Sequence, residues 1–119
     1  EEKTEGAYKA ADTTYISLDD LRGLRIDDIV TQLMAVKDFN KVIVNAVDYE
    51  DVQVFAIAMI RALKAGKKFL FRTAAAWPKV IGNVPDKALL QKEELIVKGN
   101  TNGGLIIIGS HVKKTTSIE

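Results

Sequence analysis

The stretch VIVNAVDYEDVQVFAIAMIRALKAGKKFLFRT, from Val42 to Thr73, decides the fold because it passes from a strand pattern through a helix pattern to another strand pattern. Val42–Val44 and Phe69–Phe71 are short apolar runs of β-branched and aromatic residues, which favour strands. Between them, apolar residues recur at helical spacing over residues 50–64. A strand–helix–strand unit of this kind predicts parallel strands joined by a helix.

The same alternation continues on both sides of this unit. Thr13–Ile16 predicts a strand, and Ser17 begins a short turn of helix that an amphipathic helix follows over residues 25–37. Leu105–Ile108, four consecutive aliphatic residues, predicts a strand covered on both faces. The predicted fold class is therefore α/β: an incomplete, three-layer domain with a parallel or mostly parallel sheet of about four strands and flanking helices. Residues 1–12 are expected to be a polar tail, and residues 13–119 the partial α/β domain.

Composition excludes several classes of function. The 17 basic and 16 acidic residues nearly cancel and form no extended basic stripe, so nucleic-acid binding is not expected. No apolar run approaches the roughly 18 residues that span a bilayer, and the acidic N-terminus is unlike an export signal. We therefore expect a cytoplasmic protein without membrane contact. The absence of cysteine and the single histidine predict no metal site.

Polar residues follow three of the predicted strands, at the point where each strand ends. They are Asn45 and Asp48, Arg72 and Thr73, and Gly109 and Ser110. Because the carboxyl ends of parallel strands lie along one edge of a sheet, these residues predict a binding site there. The alternative is that they are the ordinary polar residues found wherever strands become loops.

Two of these residues have specific alternatives. The Arg72 guanidinium could bind a carboxylate or phosphate with two hydrogen bonds, or it could form an ion pair with Asp48 or Asp51. Asp48 could act as a base or as a hydroxyl acceptor, but its place just before Glu50 favours a role as the N-terminal cap of the next helix.

The final segment, GGLIIIGSHVKKTT, is the second candidate for a site. Its spacing rules out a Walker A phosphate loop, because Lys114 stands where the second glycine belongs and Thr115 stands where the lysine belongs. A strand followed by Gly109 and Ser110 can still hold an anion through backbone amides. Helix capping is the alternative role for Ser110, Thr115 and Thr116.

Four segments together resemble the amino-terminal domain of the four-carbon acid sugar kinase family. They are YISLDDLRG, VIVNAVDYEDVQVFA, GKKFLFRTAAAW and GGLIIIGSHVKKTT, and the similarity extends from about Tyr15 to the last residue. The most specific elements are FRTAA followed by an aromatic residue, and GGLIIIGS with KTT. This resemblance implies an ATP-dependent kinase of tetronate-type sugar acids, with a substrate-binding amino-terminal domain and a nucleotide-binding carboxyl-terminal domain.

The resemblance also implies roles for particular residues, although it identifies no catalytic one. Arg72, Thr73 and Ala74 would face the sugar acid, and residues 109–119 would begin the nucleotide-binding domain. The residues implied to lie near the nucleotide phosphates are Gly109, Ser110, Thr115 and Thr116. ATP and magnesium are implied for the full-length kinase. No cofactor and no activity are expected for this piece alone, because the family's acidic motif and glycine-rich nucleotide loop are missing from it.

A second class of function stays open, namely a non-catalytic α/β module that binds a small anion or another protein. On either interpretation the incomplete sheet would expose an unpaired edge. We therefore expect a homodimer or an edge-to-edge association of this chain.

Overall fold

A computed structural model of the chain describes residues 9–96, 98–99, 101–105 and 107. The chain divides into two compact units, residues 1–85 and residues 86–119. The described elements of the first unit are a 3-10 helix (Ala10–Asp12), β1 (Thr13–Ile16), α1 (Leu18–Arg22), α2 (Ile26–Ala35), β2 (Lys41–Val44), α3 (Tyr49–Lys64) and α4 (Ala76–Ile81). In the second unit, α5 spans Lys92–Leu95.

Strands β1 and β2 form a parallel pair, with Thr13 opposite Lys41 and Ile16 opposite Val44. Helices α1 and α2 make the connection between the two strands, which is the crossover that parallel strands require. The predicted strands at Thr13–Ile16 and Val42–Val44 are therefore confirmed. The chain has a mixed α/β fold with a parallel sheet.

The core of the first unit combines residues of β1 with the facing sides of α1, α2 and α3. Its buried members are Ile16, Leu21, Ile29, Leu33, Phe55, Ala58, Met59 and Ala62. Helices α2 and α3 pack against each other, and Ala58 and Ala62 are fully buried on α3. Small side chains at these positions allow the helices to pack closely without voids. This packing fixes where the N-terminus of α3 lies relative to β1 and β2.

The other face of the sheet is less covered. Tyr15 and Ile43 lie opposite each other on the paired strands, and they are 49% and 45% exposed. Their neighbours Ile16 and Val44 belong to, or pack against, the buried core, as the alternation of side chains along a strand requires. Within residues 9–85, helices cover one face of the sheet, so this part of the chain shows two layers where three were predicted.

The predicted third strand is not formed. Phe69–Phe71 has no regular secondary structure, and Leu70 is fully exposed. Phe69 packs against the core, and the Phe71 ring stacks on Trp77. Aromatic contacts therefore hold this segment in place of the backbone hydrogen bonds that a strand would make. Of the predicted fourth strand, Leu105 and Ile107 have no regular structure, and Ile106 and Ile108 lie outside the described residues.

The second unit contains a single short helix among its described residues. The backbone N–H of Gln91 donates to the Glu94 carboxylate at 2.9 Å, and Lys87 forms an ion pair with the same carboxylate at 2.9 Å. These contacts hold the pKa of Glu94 below its usual value, the backbone hydrogen bond from Gln91 being the main cause. A helix of one turn needs such local contacts because it is too short to be stable alone.

Candidate functional site

The carboxyl end of β2 carries two of the predicted site residues, Asn45 and Asp48, and the carboxyl end of β1 lies beside it. Ser17 follows β1 directly, and Asn45 follows β2. The backbone N–H of Asn45 donates to the Ile16 carbonyl at 3.1 Å, so the ladder extends one step beyond the last pair of strand residues. The residues that follow β1 and β2 therefore lie side by side at this edge of the sheet.

Ser17 is the N-terminal cap of α1. Its hydroxyl accepts a hydrogen bond from the Asp20 backbone N–H at 3.1 Å and donates to the Asp20 carboxylate at 2.7 Å. The same carboxylate accepts from the Ser17 backbone N–H at 3.3 Å, which completes a capping box. These hydrogen bonds lower the pKa of Asp20, and the bond from the Ser17 side chain contributes most.

Asp48 plays the corresponding role for α3. Its carboxylate accepts from the Asp51 backbone N–H at 3.0 Å, and the Asp51 carboxylate accepts from the Asp48 backbone N–H at 3.3 Å. The capping interpretation of Asp48 is thus confirmed. Asp51 also accepts from the Val47 backbone N–H at 2.9 Å, so one carboxylate holds the loop that leads from β2 into α3.

Arg22 joins the end of α1 to the start of α3. Its Nε donates to Asp51 Oδ1 at 3.1 Å, and its Nη2 donates to Asp51 Oδ2 at 3.3 Å, giving a bidentate contact. The Nη2 atom also reaches Asp48 Oδ2 at 3.3 Å. We call these three side chains, Arg22, Asp48 and Asp51, the edge cluster.

Burial differs sharply within the edge cluster. The Asp51 side chain is only 4% exposed, whereas Arg22 is 55% exposed and Asp48 is 48% exposed. Hydrogen bonding from Arg22 and from the backbone at Val47 lowers the pKa of Asp51 to about 2, and the Arg22 pKa is raised in return, mainly by its hydrogen bond to Asp51. Asp51 is therefore ionised at neutral pH, and its two carboxylate oxygens accept four hydrogen bonds from the side chain of Arg22 and the backbone of Val47 and Asp48.

The edge cluster decides the interpretation of Arg72. An ion pair between Arg72 and Asp48 or Asp51 was one alternative, and it is wrong, because Arg22 occupies both carboxylates. Arg72 is exposed and has no hydrogen bond or ion pair with any described residue. Its charge is thus available to an external anion.

Aromatic contacts hold the segment that carries Arg72. The Phe71 and Trp77 rings stack with centroids 5.4 Å apart, and the Trp77 ring lies 5.3 Å from that of Phe55 on α3. Phe55 is buried, and Trp77 packs against the core, which agrees with a core role for Trp77 rather than a stacking platform. Arg72, Thr73 and Ala74 lie between these anchors and are all exposed.

The structure joins some of the predicted site residues and leaves others apart. Asn45 and Asp48 lie in the same loop at the sheet edge, but no described hydrogen bond or ion pair links either of them to the segment from Arg72 to Ala74. The four residues predicted to lie near the nucleotide phosphates are outside the described residues; they are Gly109, Ser110, Thr115 and Thr116. Whether those four residues hold phosphate stays a prediction.

Sequence reasoning missed Arg22 and the central role of Asp51. From the sequence, Asp51 is considered as a possible ion-pair partner of Arg72, and Arg22 is assigned no role. The spacing of Asp48 and Asp51 is the signal that could have found the role of Asp51, since an acid three residues after the cap commonly returns a hydrogen bond. Nothing in the spacing of Arg22, which lies 29 residues from Asp51, predicted their contact.

Other candidate sites in the described residues are weaker. A shallow, open depression is lined by Leu24, Arg25, Ile26, Asp27, Asp28 and Arg61. It contains none of the predicted site residues, and the Arg61 guanidinium there is already paired with Asp27 at 2.8 Å. In the described part of the chain, no cluster of His, Cys, Asp or Glu is arranged to hold a metal ion. None of the described helices combines the length and apolar character needed to cross a membrane.

Comparison of this chain with protein-family models, with curated proteins and with solved structures finds no significant match.

Proposed function

We propose that this chain carries the sugar-acid-binding part of an ATP-dependent kinase that phosphorylates a four-carbon, tetronate-type acid, and that Arg72 binds the substrate carboxylate. One observation carries this proposal: Arg72 is exposed and unpaired among the described residues, while Arg22 pairs with Asp48 and Asp51, the two carboxylates considered as its partners. A guanidinium matches a carboxylate in shape and charge and binds it with two parallel hydrogen bonds.

Phosphoryl transfer depends mainly on positioning and on charge neutralisation. Arg72 would fix the acid end of the substrate, so that a hydroxyl at the other end is presented to the γ-phosphoryl group of ATP. The exposed Asn45 amide and the half-exposed Asp48 carboxylate would bind substrate hydroxyls. Gly109, Ser110, Thr115 and Thr116 are the residues proposed for the phosphate side, where ATP and magnesium would bind in the full-length kinase.

One observation favours the alternative of a non-catalytic anion-binding module. Asp48, an acid in the loop that follows β2, accepts hydrogen bonds from Arg22 and from the start of α3. A general base needs a free lone pair aimed at the proton it removes. Asp48 is therefore better suited to binding a hydroxyl than to deprotonating it.

Calorimetric titration of the chain with erythronate and threonate tests the proposal. We expect binding of both acids and no binding of erythritol, which has the same carbon chain and no carboxylate. Arg72→Ala removes a charged hydrogen-bond partner worth about 1.5–3 kcal/mol, so binding should weaken by about tenfold to a hundredfold. Lys68→Ala is the matched control, because Lys68 is an exposed cation of the same segment.

The outcomes separate the two classes of function. Loss of binding in Arg72→Ala with retention in Lys68→Ala would support the sugar-acid site. Equal binding of acetate, sulfate and the tetronates would favour the general anion-binding module. The proposal would be wrong if neither tetronate binds, or if Arg72→Ala binds them as tightly as the parent chain does.

A further inference from the structure

The chain has five asparagines, and Asn102 is the one that a glycine follows. The others, Asn40, Asn45, Asn83 and Asn100, precede lysine, alanine, valine and threonine. We propose that Asn102 is a site of spontaneous covalent modification, at which the side-chain amide is lost through attack by the Gly103 backbone nitrogen. This inference does not depend on the proposed kinase function.

This dipeptide lies in an exposed segment without regular secondary structure. Thr101–Leu105 has neither helix nor strand, and Asn102 is exposed at a bend. Gly103 has a φ of 75°, a region that glycine enters without the steric penalty of a Cβ. No atom lies within 4 Å of the position that a Cβ would take on Gly103 or on Gly104. Because Gly103 has no Cβ, no side chain on residue 103 hinders the approach of its backbone nitrogen to the Asn102 side chain.

The reaction is balanced with water as its only co-reactant. The Gly103 nitrogen forms a bond to Asn102 Cγ, the bond from Cγ to Nδ2 breaks, and the Gly103 proton leaves with the departing nitrogen as ammonia. The product is a five-membered succinimide ring. Water then opens the ring at Cγ to give aspartate, or at the main-chain carbonyl carbon to give isoaspartate. No oxidation or reduction takes place.

Modification changes both charge and backbone. The formal net charge of the chain falls from +1 to zero. Isoaspartate also routes the main chain through the side chain, which adds a methylene between Thr101 and Gly103. Asn102 thus marks a position where the purified chain becomes heterogeneous with time, just before the apolar run that begins at Leu105.

The test is incubation of the whole chain in mildly alkaline buffer, followed by peptide mapping with mass detection and by enzymatic methylation of isoaspartate. We expect deamidation at Asn102 to be about tenfold faster or more than at any other asparagine, a difference of about 1.4 kcal/mol in activation free energy. Gly103→Ala should slow the reaction at Asn102 by a similar factor, and Asn102→Gln should abolish the isoaspartate signal. The four other asparagines act as internal controls in every sample.

Two results would overturn the inference. One is a rate at Asn102 no higher than at Asn45 or Asn83. The other is an unchanged rate in Gly103→Ala, which would show that the absent Cβ does not control the step. Because each variant alters an exposed position outside helix and strand, circular dichroism should match the parent chain and exclude misfolding as the cause.

Discussion

Asp51 shows how a single residue can organise the edge of a sheet. It lies in the first turn of α3, where an acid is favoured by the positive end of the helix dipole. Its carboxylate also accepts from Arg22 and from the backbone of Val47 and Asp48. A buried carboxylate needs such partners because removing it from water without them is costly. One side chain therefore fixes the loop after β2, caps the helix and positions an arginine.

The lowered pKa of Asp51 predicts a particular pH dependence of stability. The folded-state value is about 2, below the usual 3.8, so folding favours the ionised form. The resulting stabilisation is fully present above about pH 4 and is lost as the pH falls towards 2, where the carboxylate becomes protonated in the folded state as well. Asp51→Asn should lower the melting temperature by several degrees at neutral pH, and the difference from the parent chain should shrink as the pH falls through this range.

Thermal unfolding followed by circular dichroism across this pH range measures the effect. Asp38→Asn is the control, since Asp38 is an exposed acid in the loop between α2 and β2, without a hydrogen bond or ion pair among the described residues. It removes the same charge and should leave stability nearly unchanged. The prediction would be contradicted if the difference in melting temperature between Asp51→Asn and the parent chain stayed constant down to the lowest pH.

At the scale of the elements, the ends of the helices are determined by short-range hydrogen bonds. Both α1 and α3 begin with a capping box, built on Ser17 and Asp48 respectively. Helix α1 has only five residues, too few to be stable without its cap and its packing. The cap thus matters more for α1 than for α3, which has sixteen residues and a buried apolar face.

Ser17→Ala should therefore destabilise the first unit. The hydroxyl of Ser17 both accepts from the Asp20 backbone and donates to its carboxylate, and loss of such a cap costs about 0.5–2 kcal/mol. Urea unfolding measures the change as a lower midpoint with an unaltered slope. Ser17→Thr keeps the hydroxyl and should recover most of the stability. An alanine variant as stable as the parent chain would show that α1 is held by core packing through Leu21 alone.

At the scale of the whole molecule, the sheet of the first unit is small and open. Its two strands each pair on one side only within the described residues, and Tyr15 and Ile43 expose apolar surface on one face. Unpaired strand edges and exposed apolar faces promote association. We propose that two copies of the chain associate through this sheet.

Sedimentation velocity over a range of micromolar concentrations tests the association. The parent chain should show a concentration-dependent shift to a dimer, and Ile43→Thr should weaken it, because threonine keeps the β-branched shape but removes apolar surface. Met34→Gln, an exposed change on α2 away from the sheet, is the control. A parent chain that stays monomeric at every concentration would refute the association.

Much of the fold is predictable from local patterns. The strands at Thr13–Ile16 and Lys41–Val44, and the helices that follow them, match the apolar periodicity and the capping residues of the sequence. In the segment from Phe69 to Phe71, the local pattern and the structure differ. Its apolar run has the pattern of a strand, but a strand requires a backbone partner, and pattern alone does not supply one. In the structure its aromatic rings instead contact the core and Trp77.

The sequence by itself determined the mixed α/β class, the parallel pairing of β1 with β2 and the capping role of Asp48. Each of these features follows from patterns of residues that lie close together in the chain. Only the tertiary structure decided that Arg22 pairs with Asp48 and Asp51, and that Arg72 has no partner among the described residues. Those pairings depend on how α1 and α3 pack around the core. Contacts between residues so far apart leave no periodic signal in a single sequence, so charge pairing at the sheet edge becomes visible only once the chain is folded.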